Sequence, residues 1–211
     1  IALTITVLSN AQSNQISYPQ RELGLDLSFG ESVFNQQYIT KLGYSGSLLF
    51  AHLTNSKKWK QEIGIRFTNL RNETEKEFFP YKQPSDTFRI RNIGIRLLDF
   101  PVNFKRIFSL NEKLQLFINV GFFYTYYISR HTTSNIYLNN GEMLLKKEIY
   151  NYKKSYVKQI WGLDFGLGLN CYTYRKSSIC ISGHLNVRTE IDILGDGYFY
   201  PNITIGYRYK I

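Results

Sequence analysis

The stretch Asn202-Ile203-Thr204-Ile205-Gly206-Tyr207-Arg208-Tyr209-Lys210-Ile211 puts an apolar or aromatic side chain at every odd position and a small, polar or charged one at every even position. A two-residue period is the mark of a β-strand, whose successive side chains point to opposite faces. The same alternation recurs about eight times along the chain, with the second face supplied largely by glycine and ionisable residues. The question that separates a soluble barrel from a membrane one is which face looks inward.

The rest of the composition narrows the choice. The chain has 211 residues, room for one all-β barrel, and no run of about 18 apolar residues that would make a membrane-spanning helix. Aromatic residues make up 16%, with 17 Tyr and 15 Phe, while mean hydropathy is slightly negative. That combination is expected of strands that are apolar on one face only, and it excludes disorder. Formal charge is +10, which invites a nucleic-acid reading. Against it, Arg66, Arg96, Arg188 and Arg208 alternate with apolar neighbours inside strands, so no nucleic-acid partner is expected. Lys146, Lys147, Lys153 and Lys154 fall in what reads as a long loop, solvated or in contact with anionic lipid headgroups.

Alternation and turn residues place strands near 21–32, 43–54, 59–70, 87–108, 113–137, 142–172, 178–190 and 199–211. Short connections at Asn55–Lys58, Ser109–Glu112 and Tyr174–Ser177 alternate with longer ones at Glu31–Leu42, Arg71–Asp86, around Asn140 and at Ile191–Tyr198. Short turns on one rim and long loops on the other describe an outer-membrane barrel with both termini on the periplasmic side. The expected fold is an all-β, eight-stranded, antiparallel, up-and-down transmembrane β-barrel over residues 12–211. Residues 1–11, an apolar run followed by small residues, read as a signal-peptide remnant.

Two local devices refine this picture. Asn140-Gly141 favours a type I′ hairpin pairing residues whose numbers sum to 281, so that Val120 faces Trp161 and Ile118 faces Leu163. In the fourth strand Ile93, Ile95 and Leu97 keep one phase and Phe100, Val102 and Phe104 the other, so a β-bulge near Leu98 and Asp99 is expected to restore the outward face.

A glycine-rich face exposed to water would weaken strands without return. Inside a narrow barrel the glycines make room for long side chains. Asp26 and Asp164 are therefore expected to meet Arg66, Arg96, Arg188 and Arg208 in an interior ionic network. The opposite face meets lipid, with Trp59, Tyr124, Tyr126, Trp161, Tyr207 and Tyr209 forming an aromatic girdle.

The segments Gly43-Tyr-Ser-Gly-Ser-Leu-Leu-Phe50, Trp59-Lys-Gln-Glu-Ile-Gly-Ile65 and Leu98-Asp-Phe-Pro-Val-Asn-Phe-Lys105 resemble PorT-like and OmpA-like outer-membrane β-barrel proteins of Bacteroidota. Where that family usually has Leu-Glu-Ile-Pro, this chain has Leu-Asp-Phe-Pro. Tyr209-Lys210-Ile211 is similar to the last strand read by the barrel-assembly machinery, with Ile in place of the common Phe. The resemblance implies outer-membrane residence and, for some members, an envelope partner linked to secretion or gliding. It implies no defined reaction.

Few residues suggest chemistry. Cys171 and Cys180 flank a tight turn on opposite strand faces, so two free thiols are expected. Without a Cys/His ligand set or carboxylate cluster, neither a metal nor a cofactor is expected. Ser182 and His184 lie about 7 Å apart by strand rise, too far for direct proton transfer, and His131 falls in a loop. No GxSxG elbow occurs, so no catalytic residue is assigned. The leading reading is a non-enzymatic outer-membrane barrel that meets outer-membrane lipid, including lipopolysaccharide, and uses its loops for structural, adhesive or secretion-associated contacts. An outer-membrane lipid-modifying enzyme and a soluble calycin-like ligand binder are the alternatives.

Overall fold

The computed structural model describes residues 21–31, 38–53, 58–74, 76–78, 87–151, 160–174, 176–188 and 198–211. The expected signal-peptide remnant, and Lys153 and Lys154, lie outside the described residues. Ten strands appear among those described: β1 (Arg21–Glu31), β2 (Tyr38–Leu53), β3 (Trp59–Thr74), β4 (Glu77–Phe78), β5 (Thr87–Ser109), β6 (Leu114–Leu138), β7 (Met143–Asn151), β8 (Ile160–Tyr174), β9 (Ser177–Arg188) and β10 (Tyr198–Lys210). Every pairing is antiparallel.

Eight of these strands close a ring. The order β5-β3-β2-β1-β10-β9-β8-β6 is completed by β5 pairing with β6, while β4 and β7 extend two strands beyond the ring. Closure removes the exposed sheet edges that would otherwise leave backbone donors and acceptors unpaired in lipid.

Which face looks inward follows from exposure. Along β1, Leu23, Leu25, Leu27 and Phe29 face out while Glu22, Asp26 and Ser28 are buried. Leu163, Phe165 and Ile205 are 49%, 42% and 54% exposed, whereas Asp164, Thr204 and Arg208 are nearly inaccessible. A water-soluble protein rarely presents a contiguous apolar patch beyond a few hundred Å². This apolar wall encircles the ring, which hydrocarbon tolerates and water does not. The soluble calycin-like alternative, which needs the apolar face inside, is not the arrangement found.

Several local expectations change. The expected sixth strand is two, β7 and β8; Lys146 and Lys147, read as loop residues, sit on β7, and His131, also read as a loop residue, sits within β6. The sum of 281 holds from Arg130↔Asn151 to Ile136↔Leu145. Lower down, Val120 faces Phe165 and Ile118 faces Leu167, a sum of 285, in place of Trp161 and Leu163. The two registers differ by an even number, so the side chains below Ile128 keep their expected face. At the tip, Gly141 (φ 89°) takes the left-handed position of a three-residue loop in which its N–H donates to the Leu138 carbonyl at 2.9 Å. A three-residue hairpin loop with glycine at that position thus replaces the expected two-residue turn.

The bulge expected near Leu98 and Asp99 is absent. Arg96 pairs with Ser129 and Leu97 with Tyr127, so the extra residue is Ile128, on β6. β5 therefore keeps one phase throughout, with Ile93, Ile95, Leu97, Asp99, Asn103 and Lys105 all buried inside and Phe100 and Phe104 outside.

Candidate functional site

The barrel interior is built in layers. Nearest the short-turn rim, Lys60 Nζ lies 2.5 Å from Glu22 Oε2 and 3.4 Å from Glu62 Oε1, and Lys105 Nζ lies 2.7 Å from Glu62 Oε2. Arg208 clasps Asp26 with both terminal nitrogens, the Nη2–Oδ2 contact measuring 2.9 Å, and its Nε lies 3.5 Å from Glu62. Three carboxylates face three cations, so burial leaves no net charge. Glycines supply the room: a Cβ on Gly24 would come within 2.8 Å of the Arg208 guanidinium, and one on Gly206 would overlap the Asp26 carboxylate.

The middle layer centres on Asp99, whose side chain is wholly buried. Arg188 donates Nη1–H to Asp99 Oδ1 and Nη2–H to Oδ2, each at 2.7 Å. Arg66 Nε donates to Oδ2 at 3.0 Å, and the Thr68 and Thr125 hydroxyls donate at 2.9 and 2.7 Å. Both guanidinium groups rest on the Phe123 ring, 4.5 and 4.8 Å from its centroid, which spreads their excess charge over an aromatic face.

Beside this layer Ser182 Oγ lies 2.9 Å from His184 Nε2, and His184 Nδ1 lies 3.0 Å from Asp164 Oδ1, which also accepts from Asn186 Nδ2 at 2.9 Å. Strand rise had put Ser182 and His184 out of reach. The imidazole, laid along the strand, spans the gap. Ser182 is nevertheless packed in: a Cβ on its partner Gly168 would lie 2.4 Å from Ser182 Cβ and 2.6 Å from Phe117 Cζ.

Toward the long-loop rim the lumen turns apolar. Leu70, Ile95, Leu97, Tyr127 and Tyr200 are all buried there. This layer closes the mouth with hydrocarbon and aromatic rings.

Of the residues singled out in the sequence, Asp26, Arg66, Asp164, Arg188 and Arg208 are buried in the lumen. Arg96 is not: it is exposed on the outer wall, because β5 carries no bulge at Leu98 to turn it inward. Glu22, Lys60, Glu62, Asp99 and Lys105 were missed. The first three alternate with the apolar positions of β1 and β3 and were legible from phase alone. Asp99 and Lys105 were hidden by the misplaced bulge. Trp59, Tyr207 and Tyr209 are exposed near the short-turn rim, and Tyr126 and Trp161 nearer the other. Tyr124 packs edge-on against Trp161 at 5.1 Å.

Cys171 is exposed and Cys180 buried, and neither is in a disulfide. Folded protein should therefore react with a bulky maleimide at Cys171 alone, and denatured protein at both, as read by intact mass. Equal labelling of both thiols in the folded state would contradict the facing. Among the described residues no group of three or more His, Cys, Asp or Glu side chains is placed to hold a metal ion.

Comparison with known proteins agrees with this architecture. The family described as "Outer membrane protein beta-barrel domain" matches residues 8–191. Neisserial surface protein A superposes with a TM-score of 0.56 at 11% identity, covering 91% of this chain and 97% of its own. OprG of Pseudomonas aeruginosa (TM-score 0.43, 10% identity, 94% and 99% covered) and Ail of Yersinia pestis (0.40, 13%, 90% and 97%) are more distant. No curated protein matches. The chain belongs to the outer-membrane β-barrel domain family, and its place is the bacterial outer membrane.

Proposed function

We propose that the protein acts without an enzymatic step, as a sealed barrel whose projecting strands make structural, adhesive or secretion-associated contacts outside the membrane. The observation that carries this reading is the length of β6. It runs for 25 residues, whereas about 9 to 11 cross a bilayer, so β6 and β7 extend as a hairpin well past the ring. Its tip presents Met143, Leu144 and Leu145, all more than half exposed, beside Lys146 and Glu148 paired at 2.6 Å. An apolar tip held in water by a paired hairpin suits contact with another envelope or surface protein. The resemblance to PorT-like barrels supports a secretion-associated partner, and assembly into the membrane through β10 belongs to the same reading.

A photo-crosslinking side chain at Leu144 in intact cells tests this. Discrete protein adducts that disappear when the hairpin is shortened are expected. Adducts to lipid alone would contradict it. A filled eight-stranded lumen also leaves no aqueous path, so planar-bilayer recordings should show no stable large conductance.

The Ser182–His184–Asp164 chain favours a second reading, a lipid-modifying barrel enzyme. The packing around Ser182 counts against it. Mass spectra of lipid A from cells carrying Ser182→Ala are expected to match those of wild type, and a difference in acyl content would promote the second reading.

A further inference from the structure

A recess of about 520 Å³ opens near the long-loop rim, lined by β2, β3, β5 and β6. Its position follows from side-chain phase. On β3 the outward series Ile63, Ile65, Phe67 gives way to Asn69 and Arg71, and on β5 the outward series Phe104, Phe100 gives way to Arg96 and Gly94. Register places Arg71 against Gly94, and Gly94 against His131. A Cβ on Gly94 would meet only the His131 carbonyl, at 3.9 Å, so the floor of the recess is open.

The chemistry of the lining is one-sided. Lys41, Arg71, Arg96 and His131 contribute cations or proton donors, joined by amides and hydroxyls, and none of the lining residues is acidic. The nearby Glu73 lies 3.2 Å from Lys41. Arg71 is held in place, its guanidinium 5.9 Å from the centroid of the Tyr44 ring, while the Tyr44 hydroxyl accepts from Asn69 Nδ2 at 2.8 Å. Register sets Arg71 and Arg96 on neighbouring strands of the same face, one alternation step apart, and each guanidinium is a planar fork that suits phosphate oxygens.

Height decides which phosphate. Arg71 stands four residues beyond Phe67, about 13 Å along the strand by rise. The recess therefore begins where the apolar wall ends, at the level of lipid headgroups. We propose that it binds the phosphate group of an outer-leaflet lipid headgroup. This rests on the reading of the long-loop rim as extracellular, and it is independent of any contact made by the β6–β7 tip. Lys146 and Lys147, two of the four lysines that sequence alone offered for this role, stand farther out on the hairpin and serve as a control.

The test is native mass spectrometry of the full chain folded in detergent, with three probes: lipid A, dephosphorylated lipid A and soluble glucosamine 1-phosphate. Wild type should retain lipid A, and retention should fall on the order of tenfold on dephosphorylation, the loss expected for charge-assisted hydrogen bonds. Arg71→Ala/Arg96→Ala should lose lipid A to the same extent while keeping heat-modifiable mobility, and Lys146→Ala/Lys147→Ala should not. Equal retention of the two lipids by wild type would overturn the proposal even if the double variant failed to fold. Retention of glucosamine 1-phosphate as strong as that of lipid A would overturn the lipid as the source of the phosphate. Crosslinking at Leu144 reads the hairpin separately, so failure of either idea is recognisable on its own.

Discussion

Asp99→Ala is expected to destabilise the folded barrel by about 3 to 5 kcal/mol, the range for breaking a buried ion pair by removing one partner. Asp99 is the carboxylate that both Arg66 and Arg188 contact. Without it, two guanidinium groups share one buried layer with Thr68, Thr125 and the Phe123 face and lack the carboxylate they both grip. Water cannot enter easily to replace the lost partner, since the apolar layer of Leu70, Ile95 and Leu97 lies above and the Lys60–Glu62–Lys105 layer below. Urea titration of refolded protein in phospholipid vesicles, followed by heat-modifiable mobility, gives the number. Replacing all three charges together, Asp99→Leu with Arg66→Met and Arg188→Met, should recover most of the loss. Desolvation then no longer has to be offset by pairing. A single variant as stable as wild type would mean that the charges are solvated and the lumen is wet.

Charge on the outer wall should matter as much, in a manner that depends on depth. Ile205 lies in register between Ile181 and Leu27, midway along β10 and far from either rim. Ile205→Arg should cost about 2 to 4 kcal/mol, and Tyr209→Arg, near the short-turn rim, about 0 to 1. Exposed positions of a water-soluble protein would tolerate either change within about 0.5 kcal/mol. The gradient between the two positions, measured in the same vesicles, is the diagnostic quantity. Two equal and small effects would remove the lipid from the account.

The parts of this molecule that were legible in the sequence are those where one rule acts alone. From Glu22 to Gly30 of β1 and from Asn202 to Lys210 of β10 the apolar and polar faces alternate without exception, so phase, facing and the shared burial of Asp26 and Arg208 could be read from residue order. β5 was misread because two rules conflict there. Ile93, Ile95 and Leu97 are apolar yet point inward, since the lumen near its mouth is filled with hydrocarbon. An assignment that equates apolar with outward had to invent a bulge to accommodate them. That one error cost both Arg96, assigned to the interior, and Asp99, left out of it. The Ser182–His184 contact was missed for a different reason. Strand rise fixes the separation of backbones, and the imidazole ring bridges what remains. The recess over Gly94 depends on four strands meeting in register, which no single segment records.

The central claim, apolar side chains toward lipid and ion pairs sealed within, is tested most directly by methyl-labelled protein in bicelles. Nuclear Overhauser contacts to acyl-chain protons should appear for the methyl groups of Leu27, Leu163 and Ile205 and be missing for those of Leu70, Ile95 and Leu97. Acyl-chain contacts at Ile95 and Leu97, with Leu163 and Ile205 touching only protein, would turn the barrel inside out and contradict the account.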